Sequence, residues 1–210
     1  MSIKEEIFES ILNGDANSVE QLVSQALKEG INAESLLKET LIPAMNEVGA
    51  RFEAGDFYVP EMLISARAMK AGLAILHPLL VAQDVKPAGK IVIGTVKGDL
   101  HDIGKNLVAI MMEGAGFQVI DLGADVTSEK FIEAIRENKA DLVGLSALLT
   151  TTMPQMLVTV DQIKAAGLYD QVKVIIGGAP VTQAYADQIG AHGFAPDASA
   201  AATLARHLIA

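Results

Sequence analysis

The chain has 210 residues, of which 50% are apolar and 20% charged, and its formal net charge is −10. At roughly 150 residues per domain, this length predicts one large domain or two small ones, and the apolar fraction is sufficient for a packed core. The acidic balance excludes the basic face that nucleic acids and anionic membranes require. Cysteine is absent, which excludes disulfides and thiolate metal sites. The absence of cysteine, together with an acidic N-terminal segment, predicts a cytoplasmic protein.

Residues 1–88 show only helical periodicity. Their apolar residues recur at helical spacing in four stretches, which are separated at Gly14, Gly30 and Gly55. Pro43 lies within the third stretch, where it predicts a bend. Four amphipathic helices with short connections predict a four-helix bundle, followed by a linker at residues 83–89.

From Lys90 onward, apolar runs of strand length alternate with amphipathic helical stretches. Five strands are predicted near residues 91–96, 117–122, 141–145, 172–176 and 192–194. Strands that are apolar throughout and alternate with helices indicate a parallel sheet covered on both faces. We therefore predict an α/β protein in which a helical domain at 1–88 precedes a flavodoxin-like or Rossmann-like five-stranded parallel sheet domain at 89–210.

Polar and glycine-rich segments follow the first, third and fourth predicted strands, where a doubly wound sheet binds its ligand. They read Gly98-Asp99-Leu100-His101-Asp102-Ile103-Gly104, Ser146-Ala147-Leu148-Leu149-Thr150-Thr151-Thr152 and Gly177-Gly178. The first segment is neither a dinucleotide fingerprint nor a P-loop. The third strand does not end in an Asp, which argues against a phosphoacceptor receiver domain.

Asp99 and His101 are two residues apart on chain that leaves a strand, so their side chains are predicted to point to the same side. A carboxylate that accepts Nδ1–H fixes the imidazole tautomer and leaves Nε2 free to bind a metal or take a proton. Gly104 has no side chain and opens a helix, so a bulky ligand could approach it. Asp102 is a candidate helix N-cap.

The pattern D-x-H-x-x-G, S-x-L and G-G resembles that of vitamin B12-binding domains that hold the cofactor base-off and histidine-on. The matching positions are Asp99, His101, Gly104, Ser146, Leu148, Gly177 and Gly178. The longer string at 98–106 is similar to that of cobalamin-dependent methionine synthase and of corrinoid methyl carriers. The resemblance implies that His101 replaces the cofactor's dimethylbenzimidazole tail as the lower cobalt ligand, while the tail enters a deep pocket. It also implies cofactor contacts from Gly98, Leu100, Asp102, Ile103, Thr150 and Thr152.

The resemblance extends to residues 1–88, which look like the helical cap that shields the upper face of the cofactor. Phe57 and Tyr58 are candidate shielding residues, whereas Met62 and Met69, seven apart on one helix face, are favoured as bundle core. In such systems the cap moves aside to admit a partner enzyme, which makes residues 83–89 the predicted hinge.

Small corrinoid proteins of this kind carry a methyl group on cobalt between two enzymes. The resemblance implies cobalamin, as methylcobalamin, hydroxocobalamin or a related corrinoid, and three partners: a donor-specific methyltransferase, an acceptor methyltransferase acting on tetrahydrofolate or a thiol, and a reductive activator. The chain shows no donor or acceptor site of its own, so we expect a carrier subunit without a complete active site.

Three other functions remain open at this point. A subunit of an adenosylcobalamin-dependent mutase shares the binding motif but normally lacks the helical cap, and a B12-based sensor would bring a signalling or DNA-binding domain. A metal-dependent hydrolase would need clustered ligands, whereas the four histidines are scattered. We expect the three histidines other than His101 to be structural; they are His77, His192 and His207.

Overall fold

The computed structural model describes all 210 residues and divides them into two compact units. The helical unit comprises Met1–Lys86 with Gly114–Gly116. The sheet unit comprises Pro87–Glu113 with Phe117–Ala210.

Helices lie at the four predicted places in the helical unit. They are α1 (Ile3–Leu12), α2 (Ala16–Lys28), α3 (Ala33–Leu36), α4 (Ile42–Ala54) and α5 (Val59–Ala82), with a π-helical turn at Leu37–Leu41. Ser2 and Glu5 form a capping box at the start of α1, and the Asn32 side chain caps α3. Apolar side chains from every helix are buried together, among them Ile7, Val23, Leu36, Met45, Met62 and Met69.

Near Pro43 the third predicted helix changes its hydrogen-bond pattern. The Ile42 N–H donates to the carbonyl of Leu37, five residues earlier, which is the π-helical pattern. A proline has no N–H to donate, and its ring would collide with the carbonyl of Glu39 in a regular α-helix. The predicted helix is therefore α3, the π-helical turn and α4 in immediate succession.

Helix α5 is the central helix of the helical unit. By length and composition alone it could cross a membrane. It packs against α1, α2 and α4, however, and its residues Met62, Met69 and Leu76 are buried. A long apolar helix with this packing is typical of the core of a helical bundle.

The sheet unit is a five-stranded parallel sheet in the order β2-β1-β3-β4-β5, with helices between the strands. In chain order its elements are β1 (Lys90–Thr95), α6 (Ile103–Gly114), β2 (Gln118–Asp121), α7 (Ser128–Asn138), β3 (Leu142–Ser146), α8 (Pro154–Ala165), β4 (Lys173–Gly177), α9 (Gln183–Ile189), β5 (Gly193–Phe194) and α10 (Ala198–Ile209). This is the flavodoxin-like order, with its switch point between β1 and β3. The predicted fold class is confirmed.

The strand register brings the ends of three strands into one row. Thr95 at the end of β1 pairs with Ser146 at the end of β3, and Ser146 pairs with Gly177 at the end of β4. The loops that follow these residues therefore leave the sheet side by side.

His192 lies at the start of the β4–β5 pairing. Its Nδ1 accepts a hydrogen bond of 2.9 Å from the Val174 N–H, and its ring packs on Tyr169 with 4.6 Å between ring centroids. Burial, and then the charges of Lys173 and Lys164, lower the pKa of His192. These contacts describe a histidine that is held neutral and joins two strands.

This arrangement predicts a pH-dependent stability. Below the ordinary histidine pKa of about 6.5, His192 is protonated in the unfolded chain but stays neutral in the folded chain. The free energy of unfolding therefore decreases as the pH is lowered. A His192→Asn variant keeps a hydrogen-bond acceptor near the Nδ1 position but does not titrate. We expect the wild-type protein to lose stability relative to this variant between about pH 7 and pH 5, measured by urea unfolding. His207→Asn, at an exposed position, is the control that should follow the wild type.

Candidate functional site

The loops after β1 and β3 meet at the side chain of Asp99, which is completely buried. Its Oδ1 accepts hydrogen bonds from the backbone N–H of His101 at 3.1 Å and from the His101 ring Nδ1 at 2.7 Å. Its Oδ2 accepts from the backbone N–H groups of Leu148 at 2.8 Å and Leu149 at 3.2 Å, and from the Thr152 hydroxyl at 2.7 Å. Both carboxylate oxygens are thus surrounded by donors.

These hydrogen bonds keep Asp99 ionised. Burial by itself would raise its pKa, but the hydrogen bonds from Thr152, from the ring and backbone of His101 and from Leu148 outweigh burial and hold the pKa well below its usual range. The single hydroxyl hydrogen of Thr152 lies between Asp99 Oδ2 and the Leu149 carbonyl at 2.9 Å. The charged carboxylate is the nearer and stronger acceptor.

The ionised carboxylate fixes the tautomer of His101. Nδ1 donates its hydrogen to Asp99, so Nε2 carries the free lone pair. The His101 side chain is 51% exposed. Its backbone is fixed by a hydrogen bond of 3.0 Å, which the buried Thr95 hydroxyl donates to the His101 carbonyl. The Nε2 atom of His101 is therefore held in a fixed position, where it is available to bind a metal or to accept a proton.

The same two loops expose apolar side chains. Leu100, Ile103, Leu148 and Leu149 are all exposed, although residues of this kind are usually buried. A Cβ built on Gly104 would meet no atom within 4 Å, so the start of α6 is open. An exposed nitrogen ligand in apolar surroundings fits a large, mostly apolar metal complex better than a hydrated ion.

The paired glycines after β4 have a structural reason of their own. Gly178 has φ of +133°, and a Cβ there would lie 1.9 Å from the Ala147 carbonyl oxygen. A Cβ on Gly177 would lie 3.2 Å from the Ala195 carbonyl oxygen. The loop after β4 therefore packs directly on the backbone of the loop after β3, and contact between these glycines and a cofactor tail stays a prediction.

The structure places the remaining predicted residues around this centre. Ser146 ends β3, Thr150 is exposed, and the Asp102 carbonyl accepts the Asn106 N–H at 2.8 Å in the first turn of α6. The Thr152 side chain is directed at Asp99 and is buried, so its first partner is the carboxylate.

Sequence reasoning missed the N–H of Leu149, the buried Lys105 and the loop after β2. A backbone N–H carries no residue-type signal. The sequence motifs lie in the loops after β1, β3 and β4, whereas the loop after β2 adjoins β1 from its other side.

The other histidines stand apart from this site. His192 joins β4 and β5, while His77 and His207 are exposed on α5 and α10. No group of three or more His, Cys, Asp or Glu side chains is placed to hold a metal ion.

Comparison with known proteins decides the family. A model described as a B12 binding domain matches residues 89–205, and a second model with the same description matches residues 3–77. The chain belongs to the corrinoid proteins with B12-binding domains. Cobalamin or a related corrinoid is accordingly its cofactor, as the resemblance of its motifs implied.

Several relatives match over most or all of the chain. A corrinoid protein of Desulfitobacterium hafniense strain Y51 is 40% identical over 212 residues, which cover 100% of this chain and 98% of the relative. The dimethylamine corrinoid protein 3 of Methanosarcina mazei is 50% identical over 167 residues, which cover 79% of this chain and 100% of the relative. The crystal structure of the methanol:cobalamin methyltransferase complex of Methanosarcina barkeri matches with a TM-score of 0.88 and 28% identity, covering 99% of this chain and 79% of that one.

The close approach at Gly178 predicts a large loss of stability on substitution. Gly178→Ala adds a methyl group that must displace the Ala147 backbone in addition to adopting an unfavourable φ, so we expect a loss of at least ~3 kcal/mol. Gly167→Ala is the matched control, because φ there is +71° but a Cβ meets nothing within 4 Å. It should lose only about 1–2 kcal/mol. Equal losses for the two variants in urea unfolding would contradict the packing of the two loops.

Proposed function

We propose that this protein carries a methyl group on cobalamin that is held base-off and histidine-on by His101. The observation that supports this most directly is the half-exposed ring of His101, whose Nδ1 is bound to a buried carboxylate and whose Nε2 is left free. A single, rigidly oriented nitrogen is what one axial position of a metal complex requires. The membership in the corrinoid proteins supplies the cofactor class.

Bound cobalamin supplies the chemistry, because its cobalt can accept a methyl group from one substrate and pass it to another. The residues of this chain then hold and orient. Asp99 keeps the His101 ring in one tautomer and one direction, and it stabilises the imidazolium if Nε2 takes up a proton when it is not bound to the metal. The donors from Leu148, Leu149 and Thr152 keep Asp99 itself from turning.

The other predicted site residues divide between the two ends of the cofactor. We propose that one group of these residues contacts the corrin ring and that a second group, at or after the ends of β3 and β4, lines the pocket for the tail. The ring contacts are Gly98, Leu100, Asp102, Ile103, Gly104 and Leu148. The tail contacts are Ser146, Thr150, Gly177 and Gly178, whereas Thr152, the remaining predicted cofactor residue, binds Asp99.

Relatives suggest which enzymes are partners. Their names include dimethylamine and trimethylamine corrinoid proteins, and one structural neighbour is a methanol:cobalamin methyltransferase complex. We propose that a methylamine or methanol methyltransferase loads this carrier in the cytoplasm and that a second methyltransferase unloads it to tetrahydrofolate or a thiol. A reductive activator would restore accidentally oxidised cobalt.

In this scheme the helical region, proposed as a cap domain at 1–88, covers the methyl group on the cofactor, and residues 83–89 serve as the hinge. Tyr58 is exposed, as a shielding residue must be, whereas Met62 and Met69 are buried. The match of residues 3–77 to a B12 binding domain favours a carrier over a mutase subunit, which normally lacks such a cap. The choice of upper ligand separates the two, because a mutase or a sensor would prefer adenosylcobalamin.

Substitution of His101 tests the proposal. His101→Ala should still bind cobalamin, because the tail pocket is intact, but it should lose the nitrogen splitting that histidine causes in the cobalt(II) electron paramagnetic resonance spectrum. Isotopic labelling of histidine nitrogen should alter that splitting in the wild type. His207→Ala, at an exposed position, should behave as the wild type. A splitting in His101→Ala that still responds to labelled histidine would refute the ligand assignment, whereas one that does not respond comes from the cofactor's own dimethylbenzimidazole nitrogen.

Methyl transfer tests the carrier role separately. The protein loaded with reduced cobalamin should accept a methyl group from a methylamine or methanol methyltransferase and its substrate, detected by the change in the optical spectrum. His101→Ala should be methylated or demethylated more slowly, by about tenfold or more. Failure with every donor enzyme, together with preferential binding of adenosylcobalamin, would favour a mutase subunit.

A further inference from the structure

The loop between β2 and α7 contacts the histidine-bearing loop, residues 96–102. It does so on the flank of β1 that faces β2, whereas the loop after β3, which binds Asp99, lies on the other flank. Strand β1 lies between β2 and β3 in the sheet. The loop after β3 holds the Asp99 carboxylate, as described above, while the loop after β2, residues 122–127, lies on the other flank of β1. This loop and the end of β2 contact the chain around His101 at two places, one before His101 and one after it.

Asp125 forms the contact before His101. Its Oδ1 accepts the Gly98 N–H at 2.7 Å, and its own N–H donates to the Asp99 carbonyl at 3.0 Å. Asp125 has φ of +54°, a left-handed conformation that Asp and Asn adopt more readily than other residues with side chains. Asp125 thus holds the backbone of Gly98 and Asp99, the latter being the residue whose carboxylate binds His101.

Lys105 and Asp121 form the contact after His101. The Lys105 side chain is 1% exposed, and its Nζ donates to Asp121 Oδ2 at 2.5 Å and to Asn106 Oδ1 at 2.6 Å. Lysine is almost never buried to this degree without a partner, because the isolated charge would lose its hydration. Asp121 is the last residue of β2, so the ion pair fastens the first turn of α6 to the end of an adjacent strand.

The two contacts belong to one connected set of hydrogen bonds. The other oxygen of Asp121 accepts the Gly123 N–H at 2.9 Å, and the Gly123 carbonyl accepts the Thr95 N–H at 2.9 Å. The hydroxyl of Thr95 donates to the carbonyl of His101 itself. Gly98 and Asp99 before His101, the carbonyl of His101 and Lys105 after it are therefore linked to the loop after β2, through Asp125, Thr95 and Asp121 respectively.

We propose that the end of β2 and the loop that follows it, through the Asp121–Lys105 pair and through Asp125, position the backbone of His101 for cobalt ligation. This inference rests on the proposed role of His101 as the axial ligand and adds two positioning residues to it, Asp125 and Lys105. The loop after β3 sets the direction of the ring through Asp99. The loop after β2 fixes the position of the backbone that carries the ring.

Asp125 provides a test with a matched set of variants. Asp125→Gly removes the acceptor for Gly98 without strain at positive φ, and Asp125→Asn keeps both the acceptor and the left-handed preference. Lys139→Gly is the control for a new glycine at positive φ, because Lys139 has φ of +50° and caps the far end of α7. We expect Asp125→Gly to bind cobalamin about tenfold more weakly, with a reduced or heterogeneous histidine splitting in the cobalt(II) spectrum. Asp125→Asn and Lys139→Gly should match the wild type.

Lys105 tests the second contact. Lys105→Met keeps an unbranched side chain of similar length without a buried charge, and it leaves Asp121, which is 38% exposed, in contact with water. We expect this variant to remain folded in thermal unfolding and to show the same spectral heterogeneity as Asp125→Gly. Lys130→Met, at an exposed position on α7, is its control.

A measurement on the protein without cofactor separates this inference from the proposed function. Hydrogen exchange of the Gly98 amide should be faster in Asp125→Gly than in Asp125→Asn. If the unsubstituted protein shows no histidine splitting, the proposed function fails, and amide exchange alone then reports whether the loop holds Gly98. Wild-type affinity and splitting in both Asp125→Gly and Lys105→Met would overturn the inference, as would equal losses in Asp125→Gly and Asp125→Asn.

Discussion

The candidate site depends on one buried negative charge. A carboxylate removed from water is unfavourable unless hydrogen bonds replace its hydration, and Asp99 receives them from His101 and from the loop that contains Leu148 and Thr152. These donors come from sequence positions about fifty residues apart, so the charge is satisfied only when β1 and β3 are paired. Forming the sheet and orienting the histidine are therefore one event.

The loops after β4, β3 and β1 support one another in that order. The loop after β4 lies against the backbone of the loop after β3, because Gly178 has no side chain to keep it away from Ala147. The loop after β3 presents two N–H groups and a hydroxyl to Asp99, and Asp99 holds the His101 ring. Each loop is fixed by its neighbour in the sheet, which is how a parallel sheet makes a rigid site out of loops.

The site has exposed apolar side chains as well as a buried charge. Four large apolar side chains are exposed on the segments around His101, where they lower solubility and suit contact with an apolar ligand. The buried polar side chains beside the site, Thr95 and Lys105, have hydrogen-bond partners. The corrin is a large ring with apolar faces, so exposed apolar residues at this place agree with the proposed site.

The sequence by itself determined the class of every major element and the parallel sheet, and it predicted His101 as the histidine of the site. It could do so because hydrophobic periodicity and the D-x-H-x-x-G, S-x-L and G-G patterns are local. It also placed Pro43 as a distortion, although not as a π-helical turn, which depends on how the neighbouring carbonyls find partners. The tertiary structure alone decided that Thr152 binds Asp99, that backbone N–H groups complete the carboxylate's shell, and that Lys105 is buried against Asp121. Those contacts join residues that are distant in sequence, and strand pairing, which no local pattern records, brings them together.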